Sequence, residues 1–239
     1  MRETVRNWHA CIVDRGSKGE EQVSKLRMRI SMSLDGFIAG PHQSVKNPLG
    51  EGGMKLHEWV FPLAAWREPH DKSGGEVNES NAVVEEQLVN IGATIMGRNM
   101  FGGHPGPWDP TFPWNGWWGD NPPFHHPVFV LTHHPREKLV LEGGNSFTFV
   151  TDGIESALDQ ARHAAGGMDV SLAGGAKAVQ EYFSAGLIDE MEISLVPTLL
   201  GGGERLFEGT GDDLHGMELV RTVAAGNVTH LKFVKGQAR

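Results

Sequence analysis

Arg98 stands directly after a glycine in "IMGRNMF", where an apolar run that reads as a buried strand gives way to a turn or helix. A planar guanidinium in that position can donate two hydrogen bonds at once to a phosphate. Two further strand ends change character in the same way. "VFVLTHHPR" places Thr132 and His133 as a strand runs out, and "VSLAGGAKAVQEYF" places Gly174 and Gly175 between a strand and a helical pattern. The glycine pair fits either a tight strand-to-helix turn or an anion site. In the second case the helix start offers free N–H groups, and bare glycine lets a phosphate approach them. One such arginine by itself is surface charge. Matching polar ends on successive strand units describe a place for a phosphate-rich ligand, since ligands of open α/β sheets collect outside the carboxyl ends of the strands. No GxGxxG fingerprint follows the first strand, which argues against an ordinary Rossmann domain.

The elements that must position these residues follow from punctuation and periodicity. Residues 1–27, with "DRGSKGEEQVSKLR", are charged and poor in large apolar side chains, and read as a flexible N-terminal extension. Met28 opens "MRISMSLDGFIAG", whose alternation predicts a first strand, and residues 28–239 read as one domain. Two irregular insertions interrupt it, near 41–81 and 102–127. The first is expected to hold one or two helical turns around "LHEWVFPLAAW". The second is rich in proline, which forbids regular structure, and carries Trp108, Trp114, Trp117 and Trp118. It reads either as a cover over the sheet edge or as a contact surface. Between them, Val83, Val84, Gln87, Leu88 and Ile91 share a face of a helix predicted over Ala82–Asn90, followed by the strand "GATIMGR".

Further on, "PVFVLTH", "SFTFVT", "MDVSLAG" and "EMEISLV" read as strands. Helices are expected over Ile154–Ala165, capped by Asp152, and over Ala176–Ala185, ended by Gly186. Gly226-Asn227 marks the turn of a C-terminal hairpin. Strands alternating with helices, then a hairpin, give an α/β fold with a mainly parallel sheet and an antiparallel edge.

Bulk properties exclude several function classes. With 21 Lys+Arg against 30 Asp+Glu the net charge is −9, so no nucleic-acid surface is expected. Cys11 is the only cysteine, which rules out an internal disulfide or a thiolate cage and fits a reducing cytoplasm. No apolar run approaches the roughly 20 residues of a membrane span, and no apolar signal core opens the sequence. The pairs His125-His126 and His133-His134 are adjacent on strands and so point to opposite faces. No metal site is expected. Neither the helical zinc-hydrolase motif nor a G-x-S-x-G elbow occurs.

"SMSLDGFIAG", "IMGRNMF", "VFVLTHHPR" and "LAGGAKAVQEYFSAGLIDEMEISLVPTLLGGGERLF", in that order, resemble the dihydrofolate reductase-like reductases, nearest the branch that includes the reductase domain of riboflavin biosynthesis. The resemblance runs from about Met28 to Val234. It implies a three-layer α/β/α fold, a small-molecule substrate, NADPH as hydride donor and a homodimer. By that likeness Gly97, Arg98 and Asn99 meet the adenosine end, with Arg98 on the 2′-phosphate. Leu131, Thr132 and His133 lie along the adenosine, Gly174, Gly175, Ala176 and Lys177 cradle the pyrophosphate, and Ile38 and Ala39 border the nicotinamide.

Hydride transfer then asks the protein for proximity, exclusion of water and a group to orient or protonate the acceptor. Asp35 is the first candidate for that group and Glu204 the second. Gly36, His57 and Trp59 are expected on the substrate side. Two features depart from the named relatives. The helix acid of folate-reducing enzymes cannot be aligned to Glu58 or Glu68, and the deaminase zinc signature is missing. The rival expectation is a catalytically silent nucleotide-binding or assembly module that uses the Trp-rich insertion as its contact surface.

Overall fold

The structure is a computed structural model and describes residues 24–236. The extension expected over residues 1–27 lies outside the described residues up to position 23. From residue 24 on it belongs to the fold. β1 spans Leu26–Ser33, starting two residues before the expected strand start at Met28, because Leu26 is fully buried in the core. β2 (Phe37–Ala39), α1 (Ala64–Arg67), α2 (Glu79–Leu88), β3 (Ile91–Gly97), α3 (Arg98–Phe101), β4 (Pro127–Leu131), β5 (Leu139–Val140) and β6 (Ser146–Val150) follow. The chain continues with α4 (Ile154–Ala165), β7 (Asp169–Gly174), α5 (Ala176–Ser184), β8 (Glu190–Val196), β9 (Glu204–Arg205), β10 (Met217–Ala225) and β11 (Val228–Lys235).

Nine strands form one sheet in the order β10-β11-β8-β1-β7-β3-β4-β6-β5. Its centre, from β8 to β6, is parallel, and the hairpin β10–β11 closes one side antiparallel, with Gly226 in the left-handed turn region at φ 61°. The short β5 adds an antiparallel pair at the other edge, which the sequence did not signal. β2 and β9 pair separately beside the sheet.

Side-chain alternation along β1 sorts the layers. Leu26 and Met28 enter the large core shared with α4 and α5, whereas Arg27, one residue out of phase, donates to the carbonyls of Glu86 and Val89 at the end of α2. Helices therefore lie on both faces, a three-layer α/β/α arrangement.

Several boundaries differ from expectation for local reasons. α2 begins three residues early because the Asn78 side chain accepts from Asn81 N at 3.0 Å and caps it. The left-handed Asn90 (φ 62°) then separates α2 from β3, so Ile91 belongs to the strand and not to the helix face. Asp152 does not cap α4: Gly153 holds the cap position without a side-chain bond, and the Asp152 carboxylate accepts from Thr151. Gly186 ends α5 as expected, at φ 63°, with its N–H on the Phe183 carbonyl and that of Leu187 on Tyr182. The 41–81 excursion holds three short helical pieces: a 3-10 turn at Gly53–Leu56, α1, and a second 3-10 turn at Glu68–His70.

The Trp-rich insertion faces inward. Trp108, Trp114 and Trp118 pack on a second core of Met96, Phe101, Val128, Val130, Phe147 and Phe149. The indole N–H groups of Trp114 and Trp117 donate to the carbonyls of Phe101 and Met100, which caps the end of the four-residue α3. This packing favours the cover among the two expectations for the stretch.

Two histidines, the buried His230 and the half-buried His126, sit in hydroxyl networks. His126 meets Thr94 at 2.7 Å, and His230 lies between Ser80 and Ser194, at 2.9 Å from each. Burial, aided by the Arg29 and Arg221 charges respectively, lowers each pKa to about 4. Both stay neutral in the folded state while the unfolded chain titrates near the ordinary value of about 6.5. Between those limits the unfolded state binds more protons, so stability should fall as the pH drops from about 6.5 towards 4. Urea unfolding at a series of pH values should show that fall, with a shallower slope for His230→Gln. An unchanged midpoint across this window would contradict the assignment.

Candidate functional site

Three strand ends lie side by side at the carboxyl edge. Gly97 closes β3, Leu131 closes β4 and Gly174 closes β7, with β3 in the middle: Gly97 pairs with Leu131, and Met96 with Gly174. The fit depends on absent side chains. A Cβ on Gly97 would stand 3.3 Å from Ala178 Cβ and 3.7 Å from the Gly174 carbonyl oxygen. Gly174 has φ 131°, a conformation side chains rarely allow, and Gly175 takes the cap position of α5 with no side-chain bond to it. The first-turn N–H groups of α5, at the positive end of the helix dipole, are thus left for an outside acceptor. Ala176 is buried and Lys177 is exposed beside this start.

On the neighbouring strands, Thr132 is buried and its Oγ1 accepts from His134 N at 3.1 Å, shaping the turn that leaves His133 exposed. Asn99 is exposed. Arg98 is half-buried and folded towards the Trp-rich insertion, donating from Nη2 to the His104 carbonyl at 2.8 Å. Its guanidinium carbon lies 3.7 Å from the Trp108 ring centroid, and its Nε is buried without a partner.

A second group gathers around β2 and β9. Ile38 and Ala39 are buried, and Ala39 pairs with Glu204. The backbone is packed so closely that a Cβ on Gly40 would fall 1.9 Å from the Glu51 carbonyl oxygen. Gly36 turns the chain at φ 85°. Glu204 is half-buried, and among the described residues its carboxylate has no hydrogen bond or ion pair.

Asp35, expected to orient or protonate the acceptor, is heavily hydrogen-bonded. Its carboxylate accepts from Ser33 Oγ at 2.6 Å, from Gly201 N at 2.7 Å and from Leu200 N at 3.2 Å. The Ser33 bond first, and then the two amides, hold its pKa down at about 2 against the opposing effect of desolvation. A carboxylate so engaged ties the β1–β2 turn to the loop before β9 and is a poor proton source. Of the two roles expected of Asp35, to orient or to protonate the acceptor, these contacts disfavour the second, and the carboxylate acts as a clamp between the two loops.

Trp59 attaches to the α2 side of β1, and His57 ends the 3-10 turn at Gly53–Leu56 two residues before it. Trp59 donates to Ser31 Oγ at 3.1 Å and meets the His230 ring edge-on at 5.0 Å. It also lines a shallow cavity of about 280 Å³ with Glu58, Glu79, Ser80 and the hairpin turn. His57 has a buried, unpartnered Nδ1, and burial lowers its pKa, which favours the neutral ring.

One residue on this face escaped the sequence reading. Arg29, two positions before Ser31, is half-buried and makes no hydrogen bond or ion pair among the described residues. Burial, and then the Arg27 charge, lower its pKa to about 10. The signal was present in "MRISMS": a charge at an alternating position of a central strand. No group of three or more His, Cys, Asp or Glu among the described residues is arranged to hold a metal, and no described helix is long and apolar enough to cross a membrane.

A family profile for the RibD C-terminal domain matches residues 24–231. The chain belongs to that family. Among solved structures this RibD-type domain is similar to a protein attributed to riboflavin biosynthesis from Shewanella sp. PV-4, at 20% identity and a TM-score of 0.57, over 89% of this chain and 99% of that one. It is similar to the diaminohydroxyphosphoribosylaminopyrimidine deaminase/5-amino-6-(5-phosphoribosylamino)uracil reductase of Thermotoga maritima, at 14% identity and a TM-score of 0.54, over 90% of this chain and 58% of that one. Acinetobacter baumannii RibD is similar at 18% identity and a TM-score of 0.53, over 90% and 59%. The RibD-type domain thus spans under two thirds of the latter two chains, and at these identities the likeness establishes the fold. No curated protein matches the sequence.

Proposed function

We propose that the domain is an NADPH-dependent reductase acting on a small heterocycle, pteridine- or pyrimidine-like, or on a conjugated carbonyl. The observation that carries this reading is the contact between Gly97 and the Gly174-Gly175 pair at the ends of adjacent strands, beside the uncapped start of α5. That is a cradle a Cβ would fill, and it suits a diphosphate. Bound there, NADPH would supply the hydride, and the remaining work falls to this chain. Gly174, Gly175, Ala176 and Lys177 would hold the diphosphate. Gly97, Arg98 and Asn99, with Leu131, Thr132 and His133, would flank the adenosine end. Ile38, Ala39 and Gly36 would border the reacting ring.

Glu204, unpartnered opposite Ala39, is better placed than Asp35 to orient the acceptor or pass it a proton. Asp35 would act through the loop it clamps. Arg29 offers an uncommitted cation on the face of β1 that also carries Ser31, and His57 and Trp59 would wall that side. The reductase unit would begin with β1, act in the cytoplasm and pair as a homodimer. The silent-module rival is weakened, because three of the tryptophans that would form its contact surface pack partly against the sheet core.

The test is a calorimetric titration with NADPH and NADH, followed by reduced-nicotinamide oxidation against pteridines, ribosylaminopyrimidines and quinones. Binding of NADPH with oxidation by at least one class is expected. Absence of binding to either dinucleotide would overturn the proposal, and binding without turnover across the panel would return the silent module.

A further inference from the structure

Arg205 joins three parts of the fold that the site needs in a fixed relation. From β9 its Nη1 donates to the Asp35 carbonyl at 3.0 Å, and its guanidinium carbon lies 4.3 Å from the Phe37 ring centroid. Phe37 is also its partner across the β2–β9 pair, and the Leu206 N–H donates to the Gly36 carbonyl at 3.0 Å. The Arg205 carbonyl in turn accepts from Gln180 Nε2 of α5 at 2.7 Å. No carboxylate lies within ion-pair distance of Arg205 among the described residues. This guanidinium is spent on a backbone carbonyl and a ring, not on charge pairing.

Adjacent strand residues point to opposite faces, so holding Arg205 on the Phe37 side directs Glu204 to the other. Glu204 pairs with Ala39, and Ile38 is the extra residue in the irregular register between Phe37 and Ala39. Asp35 closes the arrangement from the far end. Its carboxylate takes the amides of Leu200 and Gly201, while its carbonyl takes Arg205. Gln180 stands one turn after Ala176, on the helix whose first-turn N–H groups are assigned to the diphosphate. A continuous chain of contacts therefore runs from the start of α5 through Arg205 to the residues that would border the reacting ring.

We propose that Arg205 is a positioning residue that couples the diphosphate end of the dinucleotide site to its reacting end. Filling the start of α5 steadies β9 through Gln180, and Arg205 passes that order to the β1–β2 turn and to β2. Ile38, Ala39 and Glu204 are thereby set before the acceptor arrives. This rests on the NADPH reading above.

The test is residue-resolved amide hydrogen exchange of the full chain, alone and with 2′-phospho-ADP-ribose, which carries the diphosphate but no nicotinamide. The reporters are the N–H groups of Gly36 and Phe37, bonded to Ser33, and that of Val179 in α5, bonded to the Gly175 carbonyl. Without ligand, Arg205→Gln should speed exchange at Gly36 and Phe37 roughly five- to tenfold and leave Val179 unchanged. With ligand, the wild type should slow at all three. Arg205→Gln should keep the slowing at Val179 and lose most of it at Gly36 and Phe37. Arg205→Lys, which can still donate to the Asp35 carbonyl, should recover most of that loss. Gln180→Ala should lose the ligand-dependent slowing of the turn while its ligand-free rates stay near those of the wild type. Ligand-dependent slowing of the turn that survives in Arg205→Gln would overturn the proposal, as would Arg205→Lys failing as Gln does. A wild type protected at Val179 but not at the turn would sink the coupling and leave the dinucleotide reading standing. A wild type unprotected at Val179 would sink both.

Discussion

Arg98→Ala should weaken NADPH binding by roughly 10- to 100-fold and leave NADH within about twofold, as read by titration of both dinucleotides. Hydrogen bonds to a charged partner contribute about 1.5–3 kcal/mol each, and a guanidinium facing a phosphate dianion belongs at the upper end. The effect is selective because the two dinucleotides differ only in the 2′-phosphate. The diphosphate would be held by the amides of α5, which the substitution does not touch. Truncation also frees the Trp108 face and the His104 carbonyl, which Arg98 now occupies. Local loosening of the insertion would cost both dinucleotides alike, so the ratio and not the absolute affinity is the measure. Equal losses for NADPH and NADH would remove the phosphate role from Arg98.

Gly203→Ala should be among the most damaging single-methyl changes in the domain. Its backbone has φ 115°, and an added Cβ would sit 2.0 Å from the Ala39 carbonyl oxygen and 2.6 Å from the Gly40 carbonyl carbon. Those contacts are backbone on a buried strand, so neither partner can rotate away. A forced left-handed residue plus overpacking costs roughly 3 kcal/mol or more, which for a chain of this size lowers Tm by about 6–12 °C. Because β2 and β9 pair across this contact, the variant should also disturb Ala39 and Glu204 and lower kcat more than it weakens NADPH binding. Gly201→Ala is the control: its φ is 70°, but nothing lies within 4 Å of the added carbon, so only about 1 kcal/mol of backbone strain is expected. Thermal unfolding of the two variants separates these outcomes. Equal Tm values would mean that the approach of Gly203 to Ala39 is not a tight constraint.

Much of the edge formed by the strand ends was legible in the sequence. Glycines at the ends of apolar runs marked places where a turn or a close approach was expected, and the strand ends at Gly97 and Gly174 do lie together. Asp35 was legible as a turn residue but not as a clamp, since Leu200 and Gly201 lie 165 and 166 positions away. The tryptophans could be counted, but their inward direction depends on Phe101, Phe147 and Phe149 of the underlying sheet face.

The sequence alone determined the alternation of strands and helices, the glycine breaks and the family. These depend on local periodicity and on backbone conformations that only glycine adopts cheaply. The tertiary structure alone decided which polar groups are already engaged. Asp35 is saturated by distant amides, Glu204 and Arg29 are left uncommitted, and Arg98 is folded onto Trp108. Whether a charge is free depends on partners that folding brings from far along the chain, and no local pattern encodes those.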